Sequence, residues 1–501
     1  MEKLTADVVV VGAGMAGALL SAKLAGRGIK TLILDAGPRV DRMAAVERFQ
    51  QAAVKSGNSP YPDSAHAPHP DESRLGQYIV DAGKLAFRGV YTRVVGGTTW
   101  HWDGTVARFR PNDLKMRTLF GVAEDWPIDY GELAGWYDEA ERELGVSGDA
   151  AASLFSDLRG GAAYPMPATP LSVLDLFAKR AVEAAGLGFA AYPQARNTED
   201  GYQGRPACCG NNTCVPICPV QAKYDGMVHV DKAETAGAQI VADAVVYDVE
   251  AGADGKINRV RFKRPGGGEG EATGRVYVIA AHVVETAKLL LMSRREATPD
   301  GAANASGLVG RKLMARVDRT FTGLTPEPVY PYRGPGENGC VVDGRDGDFR
   351  GRHAAFGIHW NAYGWNRAVG PMAAAEKAIQ DGKRGADLVA AIRNQANHEM
   401  VLSAGAEVLP DVNNRVELDP DQRDALGLPR PRVTFTPDDY TLTGLTQARD
   451  LQVKLMQTMG CTAIKEAGPM TATGIIAGTA CMGRDSLASV VRPDLRAHDH
   501  D

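Results

Sequence analysis

The sequence lacks several features that would place the protein in other functional classes. It has no apolar run near the length of about 20 residues that crosses a bilayer, so we expect no direct membrane span. It has no long basic run and a net charge of −5, which argues against nucleic acid or an anionic lipid surface as the main partner. The N-terminus shows no export-signal pattern, although export in the company of a partner stays open.

Cysteine is also scarce, and its distribution is uneven. The 501 residues include seven cysteines, and four of these lie between positions 208 and 218. Such clustering fits a cofactor site better than a disulfide scaffold. The chain is long enough for two or more domains, and its 44% hydrophobic residues are enough to fill their cores.

The clustered cysteines are Cys208, Cys209, Cys214 and Cys218, and a proline follows the last of them. Gly210 and two asparagines lie between them and tolerate the positive φ angles of a tightly wound loop. Zinc sites usually contain two separated cysteine pairs, whereas a compact run ending in Cys-Pro is typical of iron–sulfur sites. The pattern therefore favours an iron–sulfur cluster, with buried or disulfide-bonded cysteines as the alternative.

The N-terminal segment has the pattern of a dinucleotide-binding unit. A strand, a glycine turn, a helix, a second strand and an acid follow one another at Ala6–Val11, Gly12–Gly17, Ala18–Ala25, Thr31–Leu34 and Asp35. Gly12 would permit the turn, Gly14 would let a pyrophosphate approach the backbone, and Gly17 would let the helix pack on the sheet. The helix N-terminus would face the phosphates, and Asp35 would bind ribose hydroxyls.

A second glycine-rich stretch follows the valines at 94 and 95. It consists of Gly96, Gly97, Thr98, Thr99, Trp100, His101 and Trp102. Paired glycines and hydroxyls allow the backbone to approach a flat ligand closely, and three large rings lie beside them. The alternative interpretation is a tight turn with an aromatic anchor.

Together, the dinucleotide unit, residues 95–102 and the cysteine loop resemble the glucose–methanol–choline (GMC) oxidoreductases. Within this family the chain is similar to the flavin-bearing large subunits of bacterial glucose, fructose, sorbitol and gluconate dehydrogenases. The most specific likeness lies in residues 95–102 and in the cysteine loop with the following Tyr224–Glu234.

The resemblance implies an α/β fold, with a discontinuous Rossmann-like FAD-binding domain and an α+β substrate domain that contains an antiparallel sheet. The FAD-binding domain is expected at residues 1–130, 226–318 and 433–501. The intervening segments are a linker or substrate-domain excursion at 131–200, the iron–sulfur loop at 201–225 and the substrate domain at 319–432.

The resemblance also implies the cofactors. The dinucleotide is FAD, and the cluster is of the 3Fe-4S type, with Cys208, Cys214 and Cys218 as ligands and Cys209 left free. His101 lies where some relatives carry a histidine bonded covalently to the flavin. Other relatives hold the flavin without that bond, so both modes remain open.

Further flavin contacts follow from the same likeness. Residues 278–291 resemble the family's second flavin-contacting strand and helix and contain Ala280 and Glu285. Val246 is expected near the end of a strand that pairs with this second strand, and it would offer its backbone to the adenine. His282 stands where relatives usually have glycine, which predicts a less tight crossing.

The activity implied is oxidation of a hydroxyl of a sugar, polyol or sugar acid by hydride transfer to flavin. Electrons would then pass through the cluster to a cytochrome c subunit. The resemblance further implies a small export-assisting subunit and a complex on the periplasmic face of the inner membrane. Without such partners, the chain is expected in the cytoplasm.

The chain departs from the family at the catalytic base. In Thr473–Gly483, Ile475 occupies the position of the usual histidine, and isoleucine accepts no proton. Residues 314–316 replace a common Asp-His, and the match ends before the strand that carries an active-site Asn or His. We therefore assign no catalytic residue. The alternatives are a non-catalytic flavin-binding electron-transfer or structural subunit, and an enzyme whose base is His359 or His398.

Three local predictions concern the rest of the chain. Residues 39–85 predict a surface excursion in which His66 and His69 are solvated. Residues 373–393 predict a helix, and Asn413–Asn414 predicts a turn that joins a pair of strands.

Overall fold

The computed structural model of the protein describes residues 1–53, 55–64, 66, 72–151, 155, 157–362 and 371–500. No helix in this part of the chain is long and apolar enough to cross a membrane. The α-helices are α1 (Met15–Ala25), α2 (Arg42–Gln51), α3 (Met116–Phe120), α4 (Tyr130–Leu144), α5 (Val173–Ala184), α6 (Met227–Thr235), α7 (Val283–Met292), α8 (Pro371–Gln380), α9 (Gly385–His398) and α10 (Asp439–Thr458).

The described strands form five sheets. Their bounds are β1 (Glu2–Thr5), β2 (Val8–Val11), β3 (Thr31–Leu34), β4 (Val80–Asp81), β5 (Val146–Gly148), β6 (Met166–Pro167), β7 (Phe189–Ala191), β8 (Gln194–Ala195), β9 (Gln239–Val241), β10 (Val245–Ala251), β11 (Ile257–Lys263), β12 (Glu269–Thr273), β13 (Val276–Ile279), β14 (Met314–Leu324), β15 (Gly339–Val341), β16 (Phe356–Trp360), β17 (Glu399–Ala406), β18 (Arg415–Arg423), β19 (Pro429–Thr434), β20 (Thr462–Glu466) and β21 (Thr471–Ala477).

The N-terminal half is built on a parallel sheet in the order β13-β2-β3-β9. Strand β2 consists of four consecutive valines, all of them buried, because apolar cores cover both faces of the sheet. Helices α1 and α6 pack against each other on one face, where Val10 and Ile33 lie fully buried. A four-stranded sheet, β1-β12-β11-β10, contributes Val260 and Phe262 to the core on the other face.

The second half is built on a seven-stranded sheet in the order β20-β14-β17-β16-β15-β7, with β21 also paired to β14. Side chains alternate across it as they do in any strand. Leu402, Ile358 and Phe321 face an apolar core completed by α5 and α10. The opposite face is polar and carries Ser403 and His359, which are paired across β17 and β16. The prediction of an α/β protein with an antiparallel sheet in its second part is confirmed.

Two smaller sheets complete the described topology. One has the order β18-β19-β4 and the other the order β6-β5-β8. The predicted strand pair around Asn413–Asn414 is wrong, because β17 ends at Ala406 and β18 pairs with β19 instead. The backbone N–H of Thr436 donates a hydrogen bond to the side-chain oxygen of Asn414 at 2.8 Å. This bond ties the start of β18 to the end of β19, in a different sheet from β17.

The described part of the segment 39–85 contains more regular structure than predicted. It contains α2, whose N-cap Asp41 accepts a hydrogen bond from Ala44 N at 2.8 Å. His66 is buried beside Ser64 rather than solvated, so that prediction is wrong, while His69 lies outside the described residues. The predicted helix at 373–393 is divided into α8 and α9 near Gly382, which has a φ of +79°.

Candidate functional site

A cavity of about 410 Å³ lies where the β2–α1 turn meets the β13–α7 turn. This volume falls within the ~300–1,000 Å³ range of small-molecule and cofactor sites. The structure brings most of the predicted cofactor residues to its wall, although they come from distant parts of the chain. Those that line it are Gly12, Gly14, Asp35, Gly97, Thr98, Thr99, Val246, Ala280 and Glu285.

The three glycines of the turn occupy different environments. Gly12 has a φ of +103°, and a Cβ there would lie 2.5 Å from the carbonyl oxygen of Ala280. Gly17 does not line the cavity, and a Cβ there would lie 2.0 Å from the Gly12 carbonyl oxygen. At Gly14 a Cβ would meet no protein atom within 4 Å, so a ligand can approach this backbone closely.

Helix α1 begins at this turn without a side-chain cap on its N-terminal N–H groups. Gly14, Met15 and Ala16 all line the cavity, so the positive end of the helix faces it. Such an end binds phosphate and other anions. The turn therefore fits the pyrophosphate of a dinucleotide.

Asp35 directly follows β3 and is held in place by backbone donors. Its carboxylate accepts hydrogen bonds from Ala13 N at 2.8 Å and from Gly37 N at 2.9 Å. Burial raises the pKa of Asp35 to about 6, although these backbone hydrogen bonds oppose the shift. Two carboxylate oxygens have more lone pairs than these two bonds use, so Asp35 retains capacity for ligand hydroxyls.

The segment Gly97–His101 forms a 3₁₀ helix that lies over the β2–α1 turn. Gly96, which does not line the cavity, has a φ of +95° and donates from its N–H to the Ala13 carbonyl oxygen at 3.1 Å. A Cβ at Gly97 would lie 2.8 Å from the Cα of Gly14. The close approach of these two backbones requires glycine, and it brings Thr98 and Thr99 to the cavity wall.

Glu285 lines the cavity, but protein groups already occupy its carboxylate. It accepts hydrogen bonds from the hydroxyls of Tyr78 and Tyr91 and from the guanidinium of Arg93. Burial opposes its ionisation, yet the charges of Arg93 and Lys288 hold the pKa of Glu285 below its usual value. Sequence reasoning missed these partners because all three lie far from Glu285 in the chain. Even Arg93, the nearest of them, is more than 190 positions away.

His101 and Trp102 lie outside the cavity wall but beside the same segment. Trp102 donates from its indole N–H to the Tyr224 carbonyl oxygen at 2.7 Å. His101 is buried, and its Nε2 has no hydrogen-bond partner within the described residues. Burial and the charge of Lys223 lower the pKa of His101 to about 3. The ring is therefore neutral at physiological pH, and its buried Nε2 lacks a protein partner among the described residues.

The cysteine loop surrounds a buried arginine. Cys214 and Cys218 are buried, Cys208 is half-buried, Cys209 is exposed, and all four are free thiols. Nη1 of Arg196 lies 3.2 Å from Cys214 Sγ and 3.7 Å from Cys208 Sγ. Burial opposes its charge, yet the neighbouring thiols raise the pKa of Arg196 above its ordinary value. Among the described residues, however, the side chains form no cluster of three or more His, Cys, Asp or Glu positioned to hold a metal ion.

A second buried cation joins this loop to the segment over the cavity. Nζ of Lys223 donates to the carbonyl oxygens of Cys214 at 2.8 Å, Trp100 at 3.0 Å and Trp102 at 2.5 Å. Burial lowers the pKa of Lys223 to about 8, while the thiols of Cys214 and Cys218 oppose this shift. The cysteine loop and the Gly97–His101 helix are therefore adjacent.

The polar face of the seven-stranded sheet carries a group of hydrogen-bonding side chains. His359 Nε2 lies 3.3 Å from a carboxylate oxygen of Glu337, and Asn361 Nδ2 donates to Ser403 Oγ at 2.8 Å. His398 lies elsewhere, with its Nδ1 2.8 Å from the Thr325 carbonyl oxygen. Of the two histidines considered as alternative bases, His359 is thus the one within this polar group.

The likeness to known proteins covers the whole chain. No protein-family profile matches the sequence. The chain is 37% identical over 506 residues to the fructose dehydrogenase large subunit of Gluconobacter japonicus, covering 100% of this chain and 92% of that protein. It is 27% identical to the 2-methyl-1,2-propanediol dehydrogenase of Mycolicibacterium austroafricanum, with 97% and 87% covered. It is also 23% identical to the gluconate 2-dehydrogenase flavoprotein of Pantoea cypripedii, with 98% and 87% covered.

Solved structures show the same architecture. Formate oxidase aligns with a TM-score of 0.61 at 13% identity, over 100% of this chain and 92% of that one. Pyridoxine 4-oxidase from Mesorbium loti aligns with a TM-score of 0.61 at 15% identity, over 99% of this chain and 92% of that one. The predictions of the fold and of an oxidoreductase that acts on CH–OH donors are confirmed. The sequence identity over its full length shows that the chain belongs to the GMC-type oxidoreductases.

Proposed function

We propose that the protein is an FAD- and iron–sulfur-dependent dehydrogenase that oxidises a hydroxyl of a sugar, polyol or sugar acid. The observation that carries this proposal is the 37% identity, over the full chain, to the large subunit of a fructose dehydrogenase. The cavity supports it, since most of the residues predicted to bind the dinucleotide line its wall.

The residues present fit an FAD molecule. The open backbone at Gly14 and the N-terminus of α1 would bind the pyrophosphate, and Asp35 would bind the ribose. The unpartnered Nε2 of His101 is assigned to the flavin, through a covalent or a hydrogen bond. When bound, FAD supplies the hydride acceptor. Acid denaturation separates the two modes, because a covalent flavin stays with the precipitated protein.

The charges around the cysteine loop favour an anionic iron–sulfur cluster, although the described side chains as placed form no three-ligand metal site. Cys208, Cys214 and Cys218 would be its ligands, and the exposed Cys209 would remain free. Arg196 and Lys223 are buried beside the thiols and would balance the negative charge of a thiolate-ligated cluster. A bound cluster supplies a one-electron carrier. Its place beside the Gly97–His101 helix supports a role as the outlet for electrons.

His359 is proposed as the general base in place of the usual histidine. Ile475 lies on β21 with 59% of its surface exposed and has no group that accepts a proton. His359 lies on the polar face of the sheet, where Glu337 would orient the ring. The imidazole would take the hydroxyl proton of the substrate.

The proposal extends to partners. The relative from Gluconobacter japonicus is named as a large subunit, which supports assembly of this chain with other subunits. By family likeness these are a small export-assisting subunit and a cytochrome c electron acceptor on the periplasmic face of the inner membrane.

One observation favours a second candidate function. Ile475 at the base position is expected in a non-catalytic flavin-binding subunit that transfers electrons without oxidising a sugar itself. Steady-state assays with an artificial electron acceptor and a panel of fructose, glucose, sorbitol and gluconate separate the two functions. Turnover of at least one substrate by the flavin-loaded protein supports the dehydrogenase, and loaded protein inert toward all of them supports the second candidate.

A further inference from the structure

The backbone of His282 has a conformation that side chains other than glycine rarely adopt. Its φ is +75° and its ψ is 154°, which falls in a region that is essentially restricted to glycine. The residue lies between β13 and α7 and forms the N-cap position of that helix. Its side chain makes no capping hydrogen bond, so the helix end does not account for a histidine at this position.

His282 is among the residues that line the dinucleotide cavity. It stacks on the Tyr91 ring at a centroid distance of 4.1 Å and an interplanar angle of 20°, which fixes its orientation. Its Nδ1 is buried and has no hydrogen-bond partner within the described residues. A buried polar atom without a partner is unfavourable, so a ligand that supplies the partner is favoured there.

Neither the backbone turn nor the stacking requires a histidine. Glycine would adopt the same φ and ψ without strain, and phenylalanine would stack on Tyr91 equally well. The feature that distinguishes histidine from both is its ring nitrogen. Residues with a strained backbone occur mainly at functional sites. Because only the ring nitrogen distinguishes histidine here, we assign the function of His282 to that nitrogen.

We propose that His282 is a cofactor-binding residue whose Nδ1 forms a hydrogen bond with an oxygen of the dinucleotide held in this cavity. The inference rests on the proposed function, because FAD is the dinucleotide assigned there. It adds a contact that a glycine at this position does not provide.

The electrostatics of the cavity agree with a neutral ring. Burial lowers the pKa of His282 to about 4; the charge of Glu285 opposes this shift, and that of Arg93 adds to it. The ring is therefore uncharged at physiological pH and acts through a neutral hydrogen bond. Such a bond changes affinity by about 2- to 12-fold.

Three variants separate the nitrogen from the ring and from the backbone strain. His282→Phe keeps the ring and the strain but removes the nitrogen. His282→Asn tolerates positive φ and retains a polar atom near the position of Nδ1. His282→Gly removes both the strain and the nitrogen.

The measurement is FAD affinity, obtained from flavin fluorescence as FAD is titrated into apoprotein produced in a riboflavin-depleted host. The melting temperature of each apoprotein is measured alongside. We expect His282→Phe and His282→Gly to bind FAD about tenfold more weakly, and His282→Asn to bind within about threefold of the parent. The glycine apoprotein should melt at a higher temperature than the parent, since its backbone is unstrained.

Parent-like FAD affinity in both the phenylalanine and the glycine variants would overturn the inference. If the phenylalanine variant does not fold, the FAD affinities of the glycine and asparagine variants still test the inference, because glycine fits this backbone. Weak binding of all three variants, asparagine included, would assign the effect to packing and would also overturn it. An apoprotein of parent sequence that binds no FAD would instead refute the flavin assignment of the proposed function.

Discussion

Lys223 donates a hydrogen bond from Nζ to the carbonyl oxygen of Cys214 at a distance of 2.8 Å. The same ammonium bonds the carbonyl oxygens of Trp100 and Trp102. One fully buried side chain therefore connects the cysteine loop to the segment that covers the dinucleotide cavity. This connection supports the proposal of an electron outlet beside the flavin.

Replacing Lys223 by methionine should disturb both sites together. The variant leaves three carbonyl oxygens without their donor, and we expect a loss of about 3 kcal/mol or more in the free energy of unfolding. Iron content and flavin content should both fall. Lys232→Met is the matched control, since Lys232 is 40% exposed and bonds Glu143 on the surface. Loss of iron with full retention of flavin and stability would contradict the bridging role.

The cysteine assignment predicts opposite results for two neighbouring serine variants. Cys214→Ser should remove the cluster, because the buried Cys214 is a proposed ligand, and Cys209→Ser should leave it in place, because Cys209 is exposed. Iron and sulfide analysis together with electron paramagnetic resonance measure the cluster directly. Iron at the parent level in purified Cys214→Ser would show that Cys214 is not a ligand.

The proposed base predicts a specific kinetic effect. In His359→Gln, the rate at which substrate reduces the flavin should fall by about 100-fold or more. The variant should bind the same amount of FAD as the parent. His398→Gln is the control, since that imidazole bonds the Thr325 carbonyl oxygen. Stopped-flow measurement of flavin reduction gives the rate. If flavin reduction in the His359 variant is as fast as in the parent, His359 is not the base.

Glu399 predicts a pH dependence of stability. It is buried at the start of β17, and burial raises its pKa from 4.5 to about 7, although the hydrogen bond from Gln395 opposes the shift. The folded state therefore binds this proton more tightly than the unfolded state. Its contribution to stability is complete below pH 4.5 and is lost as the pH rises through about 7.

The glutamine variant isolates this effect. Relative to Glu399→Gln, the parent protein should lose up to about 3 kcal/mol of unfolding free energy between those two pH values. Chemical denaturation across the range measures the difference. Glu327→Gln is the control, since Glu327 forms an exposed ion pair with Arg180. Parallel pH profiles for the parent and the Glu399 variant would contradict the prediction.

The sequence was most informative where the chemistry is local. The valines of β2, Gly12, Gly14 and Asp35 lie within one short unit, so their spacing alone predicts the turn that the structure contains. The β17–β18 connection was mispredicted because Asn414 bonds Thr436, a partner in a different hairpin. A turn signal cannot show which strand the chain pairs with next.

Contacts between distant residues were beyond the reach of local patterns. Glu285 was predicted to contact the cofactor, but its carboxylate is occupied by Arg93 and two tyrosines from a remote segment. Lys223 and Arg196 gave no motif signal, because a single buried cation has no sequence pattern. Both acquire their roles only through tertiary packing around the cysteine loop.

Hydride transfer from a sugar or polyol to the flavin is observed directly in an anaerobic half-reaction. The purified flavin-loaded protein is mixed without oxygen with fructose and, in parallel, with glucose, sorbitol and gluconate, while the visible absorption of the flavin is followed. We expect the flavin band to bleach with at least one of these compounds, in the parent protein and in Cys214→Ser alike. A flavin that stays oxidised with all four compounds would contradict this expectation.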